Sequence, residues 1–371
     1  MRFFDDRGRG HGPWTGVVRL AALLAVAGCS DAGTGPADDR IVAGVDLDIL
    51  FAGPEPSEIA ATSDEWATRS SSAVDVQTEK DTVVTLGVLS IRVRVVSHDV
   101  GGVRHFGAIL TDEALAGQAP VIVYAHGGDR GASVEEVLFQ FGFVGDLASR
   151  FVWIVPSFRS EDLRFAGTAW TSEGPPSPWD RDVDDALALL DVTLGLEPAA
   201  DAGNVGVLGF SRGAGVGMLM GVRDARIDRV VDFFGPTDFF DVFVQNVVEE
   251  ALRGTLRDLP GLVFLDQAYI QPLRRGEVTI AEVRQQLIRR SVVLFADGLP
   301  TLQLHHGSAD DVVEVSQAES LIAAMAALGR GEPDFEAHVY PGGSHSPLTL
   351  PGSIPSAVEF LAALLPIPPE T

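Results

Sequence analysis

The chain has 371 residues, of which 46% are hydrophobic, and a formal net charge of -25. That length allows a sizeable core, and α/β enzymes of this size can fold as one catalytic domain. So large a negative charge argues against nucleic acid or an anionic lipid surface as a partner, and the single cysteine, Cys29, excludes an intramolecular disulfide and any two-cysteine redox or zinc site.

The chain begins with Arg2, Arg7, Arg9 and Arg19, then a short apolar run from Leu20 to Ala27 that is too short to span a bilayer. Val26-Ala27-Gly28-Cys29 follows. This start resembles a bacterial lipoprotein signal peptide, although Asp5 and Asp6 interrupt its basic region. The resemblance implies a leader over residues 1–28, lipidation of Cys29, and an exported protein held at a membrane by its acyl chains. Residues 29–40 read as a tether of Asp, Gly, Thr, Pro and Ala without periodicity.

Residues 41–118 read as an N-terminal segment that ends in strands. Val83 to Val88, then the alternation Ile91-Arg92-Val93-Arg94-Val95, then Val103 to Leu110 predict antiparallel strands, and Ser70-Ser71-Ser72 predicts a loop before them. From residue 119 the rhythm changes. Val121-Ile122-Val123-Tyr124 and Phe151 to Val155 are continuous apolar runs, as strands buried on both faces require. A helix is predicted over Asp182 to Leu194, with Asp182, Asp184 and Asp185 favoured at its start by the helix dipole. Strands at Val205–Leu208, Val230–Phe234, Thr301–Leu304 and Phe335–Tyr340 alternate with helices at Ala214–Val222, Ser316–Leu328 and Ile354–Leu365. That alternation predicts an α/β fold over 119–371, with a mostly parallel, doubly wound sheet. Residues 237–299 read as a helical insertion, with helices at Val242–Leu252, Thr279–Ile288 and around Asp266–Leu273. Its apolar residues, such as Phe239, Phe243 and Phe264, could line a site or form the insertion's own core. Trp170 and Trp179 are further candidates for a site wall.

The chemistry concentrates in three loops. Gly209-Phe210-Ser211-Arg212-Gly213 sits between a strand and a helix. A serine flanked by small residues at such a junction suits a sharp nucleophile turn, with the next residue's N–H free at the helix start to stabilise an oxyanion. A serine hydroxyl needs a base, and the base needs a group to orient it. Both are offered after later strands. His305-His306-Gly307-Ser308-Ala309-Asp310-Asp311 follows one, and Gly342-Gly343-Ser344-His345 follows the next. A second oxyanion donor is offered by the glycines of Ala125-His126-Gly127-Gly128-Asp129.

From about Ala119 to Leu365 the chain resembles the α/β-hydrolase family, in the branch of prolyl-oligopeptidase-like and dienelactone-hydrolase-like catalytic domains. The resemblance is carried by His126-Gly127-Gly128, Pro156 to Arg159, Trp179 to Asp185, Gly209 to Gly213, His306 to Asp310 and Gly342 to His345, in that order. It implies Ser211 as nucleophile, Asp310 as orienting acid and His345 as base, with the N–H groups of Gly128 and Arg212 as the oxyanion hole. Asp129 is the alternative to Gly128, and Asp311 and Asp238 are alternatives to Asp310. By the same resemblance His306 and His126 are structural. His305 and His306 lack a third ligand at a useful spacing, so neither a metal nor a cofactor is expected.

Such a constellation supports acyl transfer to water without choosing between ester and amide. The prolyl-oligopeptidase-like enzymes carry a large propeller, whereas the residues before Ala119 are too few for one. The expectation is therefore a serine hydrolase of small carboxylic esters. An exopeptidase or amidase acting on short peptides is the alternative, and a non-catalytic surface lipoprotein is a rival of another class.

Overall fold

The computed structural model describes residues 40–366, so the leader over 1–28 and the lipidation site at Cys29 lie outside the described residues. The described residues form one compact unit.

A short antiparallel hairpin, Ile41–Val42 with Val45–Asp46, opens it, and three antiparallel strands begin the main sheet: β1 (Val74–Leu86), β2 (Leu89–Val100) and β3 (Val103–Asp112). Six more follow: β4 (Ala119–Ala125), β5 (Val152–Pro156), β6 (Ala200–Phe210), β7 (Ile227–Phe233), β8 (Thr301–Gly307) and β9 (Phe335–Tyr340). All nine join one sheet in the order β9-β8-β7-β6-β4-β5-β3-β2-β1. Strands β4 to β9 pair in parallel, and β3 joins β5 antiparallel. The N-terminal strands thus extend the sheet that carries the later loops.

The apolar runs behave as buried strands must. Val121, Val123 and Ala125 of β4 face one core, whereas Ile122 and Tyr124 face the other. The helices are α1 (Pro56–Thr68), α2 (Val134–Val144), α3 (Arg181–Leu196), α4 (Arg212–Arg223), α5 (Val242–Leu252), α6 (Ile280–Ile288), α7 (Ser316–Ala327) and α8 (Ser353–Ala362). The first core holds α3, α4 and α7 against the sheet, and the second holds α2 and α8. Parallel strands linked by helices on both faces leave the loops after the strands' carboxyl ends gathered at one edge, where open sheets of this kind place their sites.

The insertion between β7 and β8 is helical, as expected, with α5, a helical stretch over Leu262–Arg274 and α6. Phe239, Val244, Leu262, Leu265 and Leu287 pack around a small apolar cavity inside it, so these residues are the insertion's own core. Trp179 is no site wall either. It is buried, edge-on to Phe239 at 5.2 Å between ring centroids.

Candidate active site

Ser211 stands at the junction of β6 and α4 with φ 53° and ψ -119°, a backbone region that side chains disfavour. Close packing enforces this turn. A Cβ on Gly213 would lie 2.0 Å from the Ala125 carbonyl oxygen, so only glycine lets α4 approach β4 there. The Ser211 N–H is held by the Phe233 carbonyl at 2.8 Å, while the Ser211 carbonyl accepts the Ala214 N–H at 3.0 Å and begins the helix. Arg212 is the first residue of α4, and its N–H therefore has no intrahelical acceptor. The glycine turn after β4 lies against the serine. The Cβ position of Gly127 is 3.2 Å from the Ser211 Cβ, and Gly128 adopts φ +75°.

Asp310 and His345 come from the loops after β8 and β9. His345 Nδ1 lies 2.7 Å from Asp310 Oδ2. The other carboxylate oxygen, Oδ1, accepts the N–H groups of Val312 and Val313 at 2.9 and 3.0 Å. Burial works against the Asp310 charge, but the His345 hydrogen bond and these two N–H groups outweigh it and hold the carboxyl below the ordinary aspartate value. Asp311, by contrast, is exposed, and Asp238 Oδ1 accepts the Phe240 N–H at the start of the insertion. Of the three candidate acids, only Asp310 meets His345.

Ser211 and His345 line one cavity of about 510 Å³ together with Tyr124, Gly127, Gly128, Phe210, Phe234 and Val312. The Phe234 ring packs on the imidazole at 4.2 Å between centroids. Asp258, Leu259 and Pro260 of the insertion close one side. Asp129 lines a neighbouring cavity instead, behind the glycine turn.

The three other histidines of these loops are held within the fold. His126 is buried with Nδ1 3.0 Å from the Gly127 oxygen, and burial pushes it down to about 3. His306 Nε2 is 2.8 Å from the Val313 oxygen, which ties down the loop that carries Asp310. His305 contacts Tyr340 and Gln303. Among the described residues, no cluster of three or more histidine, cysteine or acidic side chains is placed to hold a metal ion.

No protein-family model matches the chain, and no curated protein matches its sequence. Solved structures do resemble it. An acetyl xylan esterase from a Thermoanaerobacterium species aligns with a TM-score of 0.61 at 16% identity, over 87% of this chain and 99% of its own. An acetyl xylan esterase from a Paenibacillus species aligns with a TM-score of 0.58 at 16% identity, over 86% of this chain and 99% of its own. The protein has the α/β-hydrolase fold. A putative dipeptidyl aminopeptidase IV from Bacteroides ovatus also aligns, with a TM-score of 0.51 at 14% identity, over 79% of this chain but 44% of its own.

In the α/β-hydrolase fold found here, two features of the site escaped sequence reasoning. The acidic start of α3 is more than a dipole-favoured helix end. Asp182, Asp184 and Asp185 are buried, and they pair with Arg212, Arg223 and Arg159 respectively. Glu161, which carried no sequence signal, reaches Arg212 and the glycine turn. Its contacts join segments far apart in the chain, so no local spacing could have announced them.

Proposed function

We propose that the protein is a serine hydrolase of small carboxylic esters, working through an acyl-enzyme on Ser211. The observation that carries this reading is the shared cavity. A serine at a strained turn and a histidine hydrogen-bonded to a buried aspartate line the same 510 Å³ space. Ser211 attacks the ester carbonyl while His345 takes its proton. Asp310 keeps the proton on Nδ1 and stabilises the imidazolium that forms. The N–H groups of Gly128 and Arg212 receive the oxyanion. His345 then protonates the departing alcohol, and water repeats the sequence to release the acid.

Ester is favoured over peptide by what stands before the catalytic loops. Residues 40–118 supply a two-stranded hairpin, two helices (Leu47–Leu50 and α1) and the three sheet strands β1 to β3, and no propeller among the described residues. The two esterase structures align over nearly their whole length, whereas more than half of the aminopeptidase-like structure lies outside its alignment. A fluorophosphonate probe tests the enzyme reading. Labelling of the parent and none of Ser211→Ala is expected, and a folded parent left unlabelled refutes it. Comparing p-nitrophenyl esters with aminoacyl anilides tests the bond, and faster anilide cleavage reverses the choice.

We further propose that the enzyme is exported and anchored through lipid on Cys29, on the strength of the leader-like start and the tether that follows it. Incorporation of a palmitate analogue into the parent but not into Cys29→Ala is expected. No incorporation in the parent ends this reading.

A further inference from the structure

Behind the glycine turn lies a buried cluster that the triad does not use. The Arg212 side chain points away from the catalytic cavity, into the body of the protein, and is 2% exposed. Its Nε and Nη2 lie 2.8 and 2.7 Å from Asp182 Oδ2. Its Nη1 donates to Glu161 Oε1 and, at 3.3 Å, to the Gly128 carbonyl. The Phe158 ring faces the guanidinium at 4.9 Å. Glu161 in turn accepts the Gly131 N–H through Oε2 at 3.1 Å, and His126 Nε2 stands 3.6 Å from that same oxygen. Arg164 holds the Gly131 carbonyl from the other side at 3.3 Å.

We propose that Glu161 and Arg212 are positioning residues that set the oxyanion hole from behind: Glu161 fixes the Arg212 guanidinium and the Gly131 end of the turn, and the guanidinium clamps the Gly128 carbonyl. This rests on the serine-hydrolase reading of Ser211.

The physical argument is one of rigidity. Gly128 has no Cβ and adopts φ +75°, so nothing intrinsic to the residue holds its peptide groups in one orientation. An oxyanion hole works because its donors are aimed before charge develops. The Gly128 carbonyl is flanked in the chain by the Gly128 N–H and the Asp129 N–H, the two candidate donors. One hydrogen bond to that carbonyl fixes the plane of the Gly128–Asp129 peptide, and with it the Asp129 N–H, and anchors the Gly128 N–H from one side of its Cα. Arg212 is suited to the task because its planar fork reaches Asp182, Glu161 and Gly128 at once. The same residue supplies the second donor through its backbone N–H, so one residue links the two halves of the hole. The arrangement is costly unless it is complete, since a buried guanidinium left with one carboxylate leaves donors unpaired. Burial pushes the Glu161 carboxyl up to about 7 against the pull of the guanidinium, so the clamp is held at a cost to the fold.

Glu161→Gln and Arg212→Lys test the idea with the full chain. Glu161→Gln keeps the shape but removes the charge. Arg212→Lys keeps the charge and the backbone N–H but lacks the fork. Steady-state hydrolysis of p-nitrophenyl acetate and inhibition by a trifluoromethyl ketone, which binds as an oxyanion, are measured beside thermal melting, with Ser211→Ala as reference. Each variant is expected to lose about 10- to 100-fold in kcat with KM within about 3-fold, and to lose ketone affinity in step. The double variant is expected to lose little more than either single one, since both break the same clamp. Folded single variants with parental kcat and ketone affinity, beside an inactive Ser211→Ala, overturn the positioning role and leave the serine reading standing. A lower melting temperature with unchanged kcat also overturns it, by assigning the cluster to stability alone. Parental activity in Ser211→Ala removes the serine reading itself, and is recognised without either clamp variant.

Discussion

His345 Nδ1 and Asp310 Oδ2 stand 2.7 Å apart across 35 residues of chain, and the aspartate reaches that position because its other oxygen is locked by the N–H groups of Val312 and Val313. The carboxylate is thereby aimed before any substrate arrives, and it remains ionised below the ordinary aspartate range. In Asp310→Asn the amide can keep the loop contacts but cannot hold the imidazole in the same protonated form. Its kcat for p-nitrophenyl acetate is expected to fall on the order of 10³- to 10⁴-fold with little change in KM. Asp311→Asn alters an exposed side chain and is expected to keep parental turnover. The reverse ranking of the two variants would move the acid to Asp311.

The backbone of Ser211 makes a separate prediction. With φ 53° and ψ -119°, it occupies a region that glycine enters freely and other residues do not. Ser211→Ala and Ser211→Gly both remove the hydroxyl, and both are expected to be inactive. Ser211→Gly is expected to be the more stable of the two by about 1 kcal/mol, because it alone relieves the turn. Urea denaturation of the two variants at pH 7 measures the difference. Equal midpoints would show that the turn carries no strain.

Much of this was legible in the sequence, and the physics says why. Val121–Tyr124 and Phe151–Val155 read as strands because burial on both faces removes polar residues altogether. Ser211, Asp310 and His345 could be singled out as candidates because each lies in a loop just past a strand, two of them buried on both faces and the last, Phe335–Tyr340, with alternating exposure. The first half of β1 was missed because Asp75, Gln77 and Glu79 face solvent, and the strand signal begins only near Thr82. Helix α2 has Val134, Val137, Leu138 and Phe141 at helical spacing behind a Ser133 cap, which was signal enough. Phe139 and Phe143, exposed on its outer face, blurred that period. The start of α3 was readable as a helix end, but the burial of its aspartates against Arg212, Arg223 and Arg159 was not. Tertiary packing brings those arginines in, and no local spacing encodes them.

Asp232 at the end of β7 gives the protein a pH dependence of known sign. It is fully buried; Oδ1 accepts the Gly235 N–H at 2.7 Å, and Oδ2 has no partner among the described residues. Burial pushes its carboxyl up to about 7, opposed only by that one N–H. A folded-state value raised above the unfolded one means that the group's contribution is whole at low pH and is lost as pH rises toward and through 7. Asp232→Asn keeps the acceptor for Gly235 and cannot ionise. Between pH 5 and pH 8 the unfolding free energy of the variant is expected to gain on the parent by about 1–3 kcal/mol. A difference that stays constant over that range would mean that Asp232 is not held protonated.

Arg284 of α6 explains what the segment before the sheet does for the fold. Its Nη1 donates to the carbonyls of Ile49, Leu50 and Ala52 at 3.0, 3.0 and 2.7 Å, while Nε and Nη2 reach both oxygens of Glu58 at 2.8 and 2.7 Å. Glu58 also accepts the Glu55 N–H at the start of α1, and the Arg284 hydrogen bond foremost holds its carboxyl below the ordinary range. One guanidinium thus satisfies the end of the Leu47–Leu50 turn and the beginning of α1 together, and fastens both to the insertion. Leu47 and Leu50 are fully buried beneath it, so their burial depends on the same anchor. Arg284→Ala takes the guanidinium away from three carbonyls and from Glu58, at a cost of about 2–4 kcal/mol. Residues 41–73 are then expected to become sensitive to limited proteolysis at a temperature where the parent resists it. Arg284→Lys, which keeps the charge but cannot span both targets, should fall between the two. Cleavage at the parental rate in Arg284→Ala would mean that Leu47, Leu50 and Trp66 hold the segment down by apolar packing alone.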